Sequence, residues 1–159
     1  MADNTATLQR FTGLASRIKG IEDFVLGEVK RIVDSEKEWL EEKNRQYMAE
    51  EGQRPDGREI QARGYSRAYA EYKVEFGRFK NVSYVDLKFS GDFHESIRIK
   101  VKSETKLSIT YEYVSGDSKK EELETRYGNL LGVRQEDLNE FMFQRVYRQL
   151  LSSIQGYLR

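Results

Sequence analysis

The chain has 159 residues, the length of one ordinary domain, and its 27 Lys and Arg residues are balanced by 27 Asp and Glu residues. A formal net charge of zero leaves no strong field to attract polyanions, which argues against a general nucleic-acid binder. The lack of cysteine excludes disulfides, thiolate metal sites and cysteine nucleophiles. The sequence has neither a run of 18 apolar residues nor the apolar core of a signal peptide, so we expect synthesis in the cytoplasm and no membrane partner.

The first 19 residues form a separate unit in the sequence pattern. Their apolar residues recur at spacings of three and four, which predicts a short amphipathic helix before Gly20. These apolar residues are Leu8, Phe11, Leu14 and Ile18. We expect an N-terminal arm, residues 1–19, that docks elsewhere, and a single α+β domain formed by residues 20–159.

A second helical pattern follows at once and is the longest in the chain. Its apolar residues keep the helical period over residues 21–48, and its outer positions alternate in charge, as on a solvated helix face. Gly52 and the Pro-Asp-Gly turn at residues 55–57 predict that this helix ends near Glu51. A shorter helix that ends at Gly77 is expected after the loop. It is marked by Tyr65, Tyr69, Tyr72 and Phe76.

The middle of the chain changes to the alternating pattern of half-buried strands. Three such runs predict a short antiparallel sheet of three or four strands, with the last two strands joined as a hairpin at residues 104–106. The alternating residues are Val85, Leu87 and Phe89, then Ile97, Ile99 and Val101, then Leu107, Ile109, Tyr111 and Tyr113. Gly91 and Asp92 suit a tight turn between the first two strands, and Phe93 is its apolar anchor.

Two further helices are predicted after the sheet. Ser118 and Glu121 have the spacing of a capping box at the start of the first helix. That helix contains Tyr127 and closes at Gly128. Residues 135–158 predict a long final helix with a one-sided apolar stripe. The stripe consists of Leu138, Phe141, Met142, Val146, Leu150, Ile154 and Leu158. Helices at both ends of a short antiparallel sheet define an α+β fold.

The residues that most often carry catalysis or bind metals do not combine into a site. His94 is the only histidine, and a zinc site without cysteine or a second histidine would need an unusual ligand set. We therefore expect His94 to pack on its loop or bond to the loop backbone. Asp92, His94 and Ser96 alternate along one extended stretch and cannot converge as a catalytic triad. These observations predict no enzyme, no metal and no cofactor.

A basic face is predicted on the second strand. Arg98, Lys100 and Lys102 alternate with apolar residues and project from one side of the sheet, where DNA phosphates could bind. The alternative is a solvated face whose cations pair with Glu104 and Glu112 across the sheet. We favour this alternative, because no aromatic residue interleaves with the cations as a stacking platform for bases would require.

Short motifs are spread over most of the chain. They are Asn44-Arg45-Gln46, Gly52, Asp56-Gly57, Tyr65-Ser66 through Tyr69 and Lys73, Val85-Asp86-Leu87, Ser90-Gly91-Asp92-Phe93 with Ser96-Ile97, Lys119, Leu123, Tyr127-Gly128 and Leu131-Gly132-Val133. Together they resemble a family of uncharacterised proteins encoded in the structural gene clusters of tailed phages and prophages. Ser90 stands where those relatives carry threonine, and it keeps the hydroxyl.

The turn before Ser96 and Ile97 is also similar to the neck and tail-completion proteins called HK97 gene-product-10-like or phage virion morphogenesis proteins, whose usual tail motif is missing here. The resemblances imply a structural component of the virion, a head-tail connector or tail-completion ring subunit. Implied partners are copies of itself in a ring, portal, adaptor or tail proteins, and DNA that passes through the channel without sequence-specific binding. Gly91 and Asp92 are implied to shape a turn that Phe93 plugs. Tyr127 with Gly128 is implied to end a helix.

Contacts between subunits are expected from two parts of the chain. Tyrosine suits half-wet surfaces that another subunit covers, which favours Tyr65 and Tyr69. The arm supplies Phe11, Leu14 and Ile18. The alternative to a particle subunit is a nucleic-acid-associated accessory protein that uses the basic strand face.

Overall fold

The computed structural model describes residues 20–105 and 109–159. Its helices are α1 (Ile21–Glu51), α2 (Arg67–Phe76), the one-turn α3 (Asp92–Glu95) and α4 (Lys120–Tyr127). Two antiparallel strands, β1 (Ile97–Glu104) and β2 (Ile109–Ser115), lie between α3 and α4. A continuous C-terminal helix consists of α5 (Gln135–Phe141), a π-helical turn (Met142–Tyr147) and α6 (Arg148–Leu158). The α+β class, the long N-terminal helix and the C-terminal helix are confirmed.

Helix α1 runs past two hydrophobic cores. The first core contains Met48 from the end of α1 together with Ile60, Val85, Phe93, Ile97, Leu130 and Leu131. The second core contains Ile32, Val33 and Leu40 from the earlier part of α1 together with Ile99, Phe141 and Val146. Tyr113 packs against both cores. Because β1 gives Ile97 to one core and Ile99 to the other, the hairpin connects them.

Two charged residues of α1 hold β1 in place. The carboxylate of buried Glu41 accepts a hydrogen bond from the backbone N–H of Ile99 at 2.8 Å. Arg45 donates to the carbonyl oxygen of His94 at 3.0 Å and to that of Ile97 at 3.1 Å. The bonds to Ile97 and Ile99 satisfy backbone groups at the edge of β1 that faces no third strand, and the bond to His94 ties α3 to the same helix.

The predicted three or four strands are more than the structure shows, because residues 85–89 do not form a strand. Leu87 has a positive φ of 51°, which breaks the extended backbone. The N–H groups of Asp86 and Leu87 donate to the Tyr65 hydroxyl, and the N–H of Lys88 donates to the Asp86 carboxylate. Side chains therefore take the backbone hydrogen bonds that a neighbouring strand would need.

The predicted hairpin is confirmed as the antiparallel pair of β1 and β2. Its register is irregular at Lys102, which is the extra residue of a bulge on β1. Residues 106–108 of the connection, which include the predicted strand residue Leu107, lie outside the described residues. The predicted arm of residues 1–19 does so as well.

The helices end where the glycines predict, whereas one helix start differs from its sequence signal. Gly52 closes α1 with a φ of 63°, and the N–H of Gly77 bonds to the last turn of α2. Helix α4 begins later than the predicted capping box at Ser118. The residue before the helix is Lys119, which makes no side-chain capping bond, and the Asp117 carboxylate accepts the N–H of Lys119 at 2.7 Å in a turn that precedes the helix.

Candidate functional site

Helix α2 and Phe89 of the following loop form a contiguous group of aromatic side chains at the surface. We call Tyr69, Tyr72, Phe76 and Phe89 the aromatic surface. Tyr72 is 52% exposed and Phe76 is 61% exposed. The ring centroid of Tyr72 lies 5.0 Å from that of Phe76 and 5.6 Å from that of Phe89, on which Tyr72 stacks at an interplanar angle of 8°. Single exposed apolar residues are ordinary, but a connected group of this kind marks an interaction site.

A buried ion pair fixes α2 from beneath. The Lys73 ammonium is fully buried and donates to the carboxylate of Asp86, which is 2% exposed. Asn81 donates to the second carboxylate oxygen of Asp86 at 3.3 Å. Charges removed from water are tolerated only when they are paired and hydrogen-bonded. The pair therefore holds α2 in one position on the loop that follows it.

Tyr65 completes this network at the start of α2. Its hydroxyl donates to the Asp86 carboxylate at 2.8 Å. Burial, together with this hydrogen bond, raises the pKa of Tyr65 far above its usual value. The Tyr65 hydroxyl therefore forms its hydrogen bonds within the chain. The Tyr65 ring packs on that of Tyr69, with a centroid distance of 4.9 Å, and so supports the aromatic surface.

His94 bonds to the loop backbone, as predicted. Its Nε2 lies 2.8 Å from the carbonyl oxygen of Asp86, so this nitrogen is the donor. Asp92 and Ser96 bond elsewhere, Asp92 to the Ser90 hydroxyl and Ser96 to the carbonyl oxygen of Phe93. The three residues of the rejected triad are therefore not brought together. Within residues 20–105 and 109–159, no cluster of three metal-ligating side chains is present.

Burial lowers the pKa of His94 to about 4, from an ordinary value of 6.5. Between these values the unfolded chain binds a proton at His94 and the folded chain does not, so stability falls as the pH drops through this window. We expect this residue alone to remove about 3 kcal/mol of unfolding free energy between pH 7 and pH 4. Urea denaturation at several pH values measures the effect.

The control for this pH dependence is the variant His94→Gln, which lacks the titrating imidazole. Carboxylates that titrate in the same range are common to both proteins, so the difference between their unfolding free energies isolates the histidine. We expect the advantage of the wild-type chain over the variant to shrink by about 3 kcal/mol from pH 7 to pH 4. A difference that stays constant with pH would contradict a neutral, buried His94.

The predicted tight turn at Gly91 is a helical turn instead. Gly91 has a φ of 105°, and Asp92 is the first residue of α3. Phe93 is buried in the first core, as expected of the residue that plugs the turn. At the predicted end of α4, Gly128 has a φ of 83° and donates its N–H to the carbonyl oxygen of Glu124. The prediction of a helix end at Gly128 is therefore correct.

Several residues singled out from the sequence meet at one cleft of about 630 Å³. The cleft is bordered by α2, α3 and α4. Its lining includes Tyr65, Tyr69, Gly91, Asp92, Phe93 and Tyr127. It opens beside the aromatic surface, with which it shares Tyr69 and Phe89. The predicted turn, helix-end and tyrosine residues are thus parts of one region of the molecule.

The C-terminal helix presents a second exposed apolar group. We call Met142, Phe143, Tyr147 and Leu151 the C-terminal stripe. Phe143 is 67% exposed and Tyr147 is 54% exposed. Phe141 and Val146 enter the second core from the opposite face, and the π-helical turn provides the spacing of five residues between them. Met142 was predicted to face inward with them; this prediction is wrong, because the wider turn directs Met142 to solvent.

Glu36 of α1 fixes the orientation of the C-terminal helix. Its carboxylate accepts hydrogen bonds from Arg145 at 2.6 Å and from Gln149 at 3.0 Å. These bonds, led by that from Arg145, lower the pKa of Glu36. The guanidinium of Arg145 also lies 5.1 Å from the ring centroid of Trp39. The polar contacts keep the side of the helix that carries Phe143 and Tyr147 turned away from α1.

The basic face of β1 is partly neutralised. Lys102 lies 3.5 Å from Glu112, one of the two predicted partners, and Arg98 lies 3.9 Å from Glu41. Glu104, the other predicted partner, pairs with Lys30 of α1 instead. Arg98 and Lys102, two of the three predicted phosphate-binding cations, therefore face carboxylates, as on a solvated sheet surface. The third, Lys100, is exposed on the same strand.

Sequence reasoning missed two parts of this arrangement. Lys73 and Asp86 gave no sign of their burial, because a lysine within a polar helix is almost always exposed. The C-terminal stripe does leave a signal, since Phe143, Tyr147 and Leu151 recur every four residues beside the inward-facing set. A search for a second apolar row on the same helix would have found it.

Comparison of the chain with protein-family models, curated proteins and solved structures finds no match. In the described ranges, no helix combines the length and the apolar character needed to cross a membrane.

Proposed function

We propose that this chain is a structural subunit of a tailed phage particle, a head-tail connector or tail-completion ring component that acts through protein–protein contacts. The observation that carries this proposal is the presence of two exposed apolar groups on different cores. The aromatic surface is formed by α2 and Phe89, next to Tyr65 and Leu87, which pack against the first core; the C-terminal stripe lies on the helix that gives Phe141 and Val146 to the second core. A chain with two such surfaces can contact two neighbours at once.

Ring assembly needs this arrangement. A ring of identical subunits is built from a heterologous interface, in which one surface of each copy contacts a different surface of the next. A single patch that pairs with itself would instead give a closed symmetric dimer. Large apolar groups on otherwise charged surfaces are costly to leave in water, which favours a state in which neighbours cover them. The resemblance to phage structural proteins supports the same role.

The proposal is tested by measuring where the chain resides. Particles induced from a lysogen that encodes the chain should contain it in a fixed number of copies, measured by quantitative mass spectrometry against the portal protein. Particles that lack the chain while the host cell contains it would refute the proposal. The alternative, a DNA-associated accessory protein, predicts instead that the purified chain retards DNA and loses this binding as salt rises.

The arm provides a second test of the proposed function. Replacing both Phe11 and Leu14 with aspartate places two charges on its predicted apolar side, and we expect incorporation into particles to be abolished while residues 20–159 stay folded. The matched control replaces Gln9 and Ser16 with aspartate on the predicted polar side, which should leave incorporation unchanged. Particles with a normal content of the Phe11 and Leu14 variant would remove the arm from the interface.

A further inference from the structure

From the proposed assembly role and the two apolar surfaces, we infer a specific contact: the aromatic surface of one copy packs on the C-terminal stripe of a second copy, head to tail. This inference rests on the proposed function and names the interface that would build the ring. Three features of the described residues lead to it: the spacing of the apolar side chains, the charges beside them and the amount of surface available.

Spacing is the first feature. On α2, Tyr72 and Phe76 stand four residues apart, and on the C-terminal helix Phe143, Tyr147 and Leu151 repeat the same interval. Rows of side chains four residues apart form the ridges that interdigitate in the commonest class of helix packing, with the axes crossing at about 50°. The two surfaces therefore have matching ridges. Each is also held firmly, α2 by the buried Lys73 and the C-terminal helix by Glu36.

Charge is the second feature. Glu75 is the exposed residue beside Phe76, and Arg148 is the exposed residue beside Tyr147. Among the residues that the structure describes, neither of these side chains forms an ion pair within its own chain. Placing α2 on the C-terminal helix can bring Glu75 towards Arg148, whereas pairing either surface with its own copy would bring Glu75 towards Glu75 or Arg148 towards Arg148. Charge complementarity thus favours the heterologous contact over the two symmetric ones.

Surface area is the third feature, and it sets the expected strength. The eight side chains of the two surfaces offer roughly 800 Å², at about half of the area that a fully buried aromatic residue covers. This lies below the range of stable pairwise complexes. We therefore expect weak association of the isolated chain, reinforced when several contacts close a ring on the particle.

The experiment uses two full-length variants, Phe76→Lys on the aromatic surface and Phe143→Lys on the C-terminal stripe. Both residues are exposed, so both variants should keep the wild-type circular dichroism spectrum and unfolding midpoint. In sedimentation equilibrium at concentrations up to about 0.5 mM, where an interface of this size associates, the wild-type mass should rise beyond that of a dimer. Each variant alone should stay at the 18.7 kDa mass of one chain.

An equimolar mixture of the two variants decides the geometry. Each variant keeps the surface that the other lacks, so the mixture should form a complex of twice the single-chain mass and grow no further. A variant that associates alone as the wild-type chain does, or a mixture that stays monomeric, would overturn the contact. A wild-type chain that is monomeric throughout would overturn it too. The particle measurement is independent, because a chain found in particles but monomeric in solution retains its proposed function without this interface.

Discussion

Replacing Lys73 with methionine should destabilise the fold by about 3–5 kcal/mol, one of the two largest effects expected for a single substitution in this chain. Methionine keeps most of the length of the lysine side chain, so the loss comes from the charge rather than from packing. The Asp86 carboxylate would remain buried with its cation removed and only neutral donors around it. Urea denaturation followed by circular dichroism gives the change in unfolding free energy.

Two further variants separate the causes of this loss. Lys100→Met makes the same substitution at an exposed position of β1 and should change the unfolding free energy by less than about 0.5 kcal/mol. The double variant Lys73→Met with Asp86→Asn carries no buried charge, so it should regain about half of the loss. A double variant as unstable as the single one would show that packing around Lys73, and not the unpaired carboxylate, explains the effect.

Replacing Phe141 with alanine should cost about 3–5 kcal/mol, because the ring fills the second core and its removal leaves a cavity. Phe141 is almost fully buried, and its ring stacks on Trp39 at a centroid distance of 6.0 Å. The change should lower the urea midpoint without altering the surfaces proposed for assembly. Thermal denaturation by differential scanning calorimetry provides an independent measure.

Phe143→Ala is the matched control, since it deletes the same side chain two residues further along the same helix. Phe143 is mostly exposed, so its removal should change the unfolding free energy by less than about 0.5 kcal/mol. It should instead weaken self-association, which Phe141→Ala should not do directly. Equal losses of stability in both variants would contradict the assignment of inward and outward faces around the π-helical turn.

Apolar periodicity predicted the helices well because it reports which side of a helix is buried. The stripe over residues 21–48 became α1, and glycine signals placed the ends of α1, α2 and α4 at Gly52, Gly77 and Gly128. These signals are local: each depends on residues within one or two turns of the helix end. Boundaries set by neighbouring residues are therefore accessible from sequence.

The extra strand was predicted wrongly. Alternation of apolar residues indicates which side chains share a face, but it does not show which groups form hydrogen bonds with the backbone. Val85, Leu87 and Phe89 alternate as they would in a strand. The hydroxyl of Tyr65, distant in sequence, nevertheless accepts the N–H groups of this segment. No pattern within residues 85–89 reveals that a distant hydroxyl accepts these N–H groups. Here a tertiary contact outweighs the strand propensity of the segment.

The candidate site was predicted in its parts and not as a whole. Tyr69, Phe93 and Tyr127 drew attention for separate reasons, and only the packing of α2, α3 and α4 places them around one cleft. The outward position of Met142 depends on a π-helical turn, in which one added residue changes the phase of the helix. A regular helical period cannot anticipate that change, which is why Met142 was assigned to the wrong face.

The contribution of α1 to both cores bears on how the molecule unfolds. Met48 of this helix belongs to the first core and Ile32 to the second, so disruption of either core removes packing that holds the same helix. We therefore expect the two cores to melt together, in one cooperative transition.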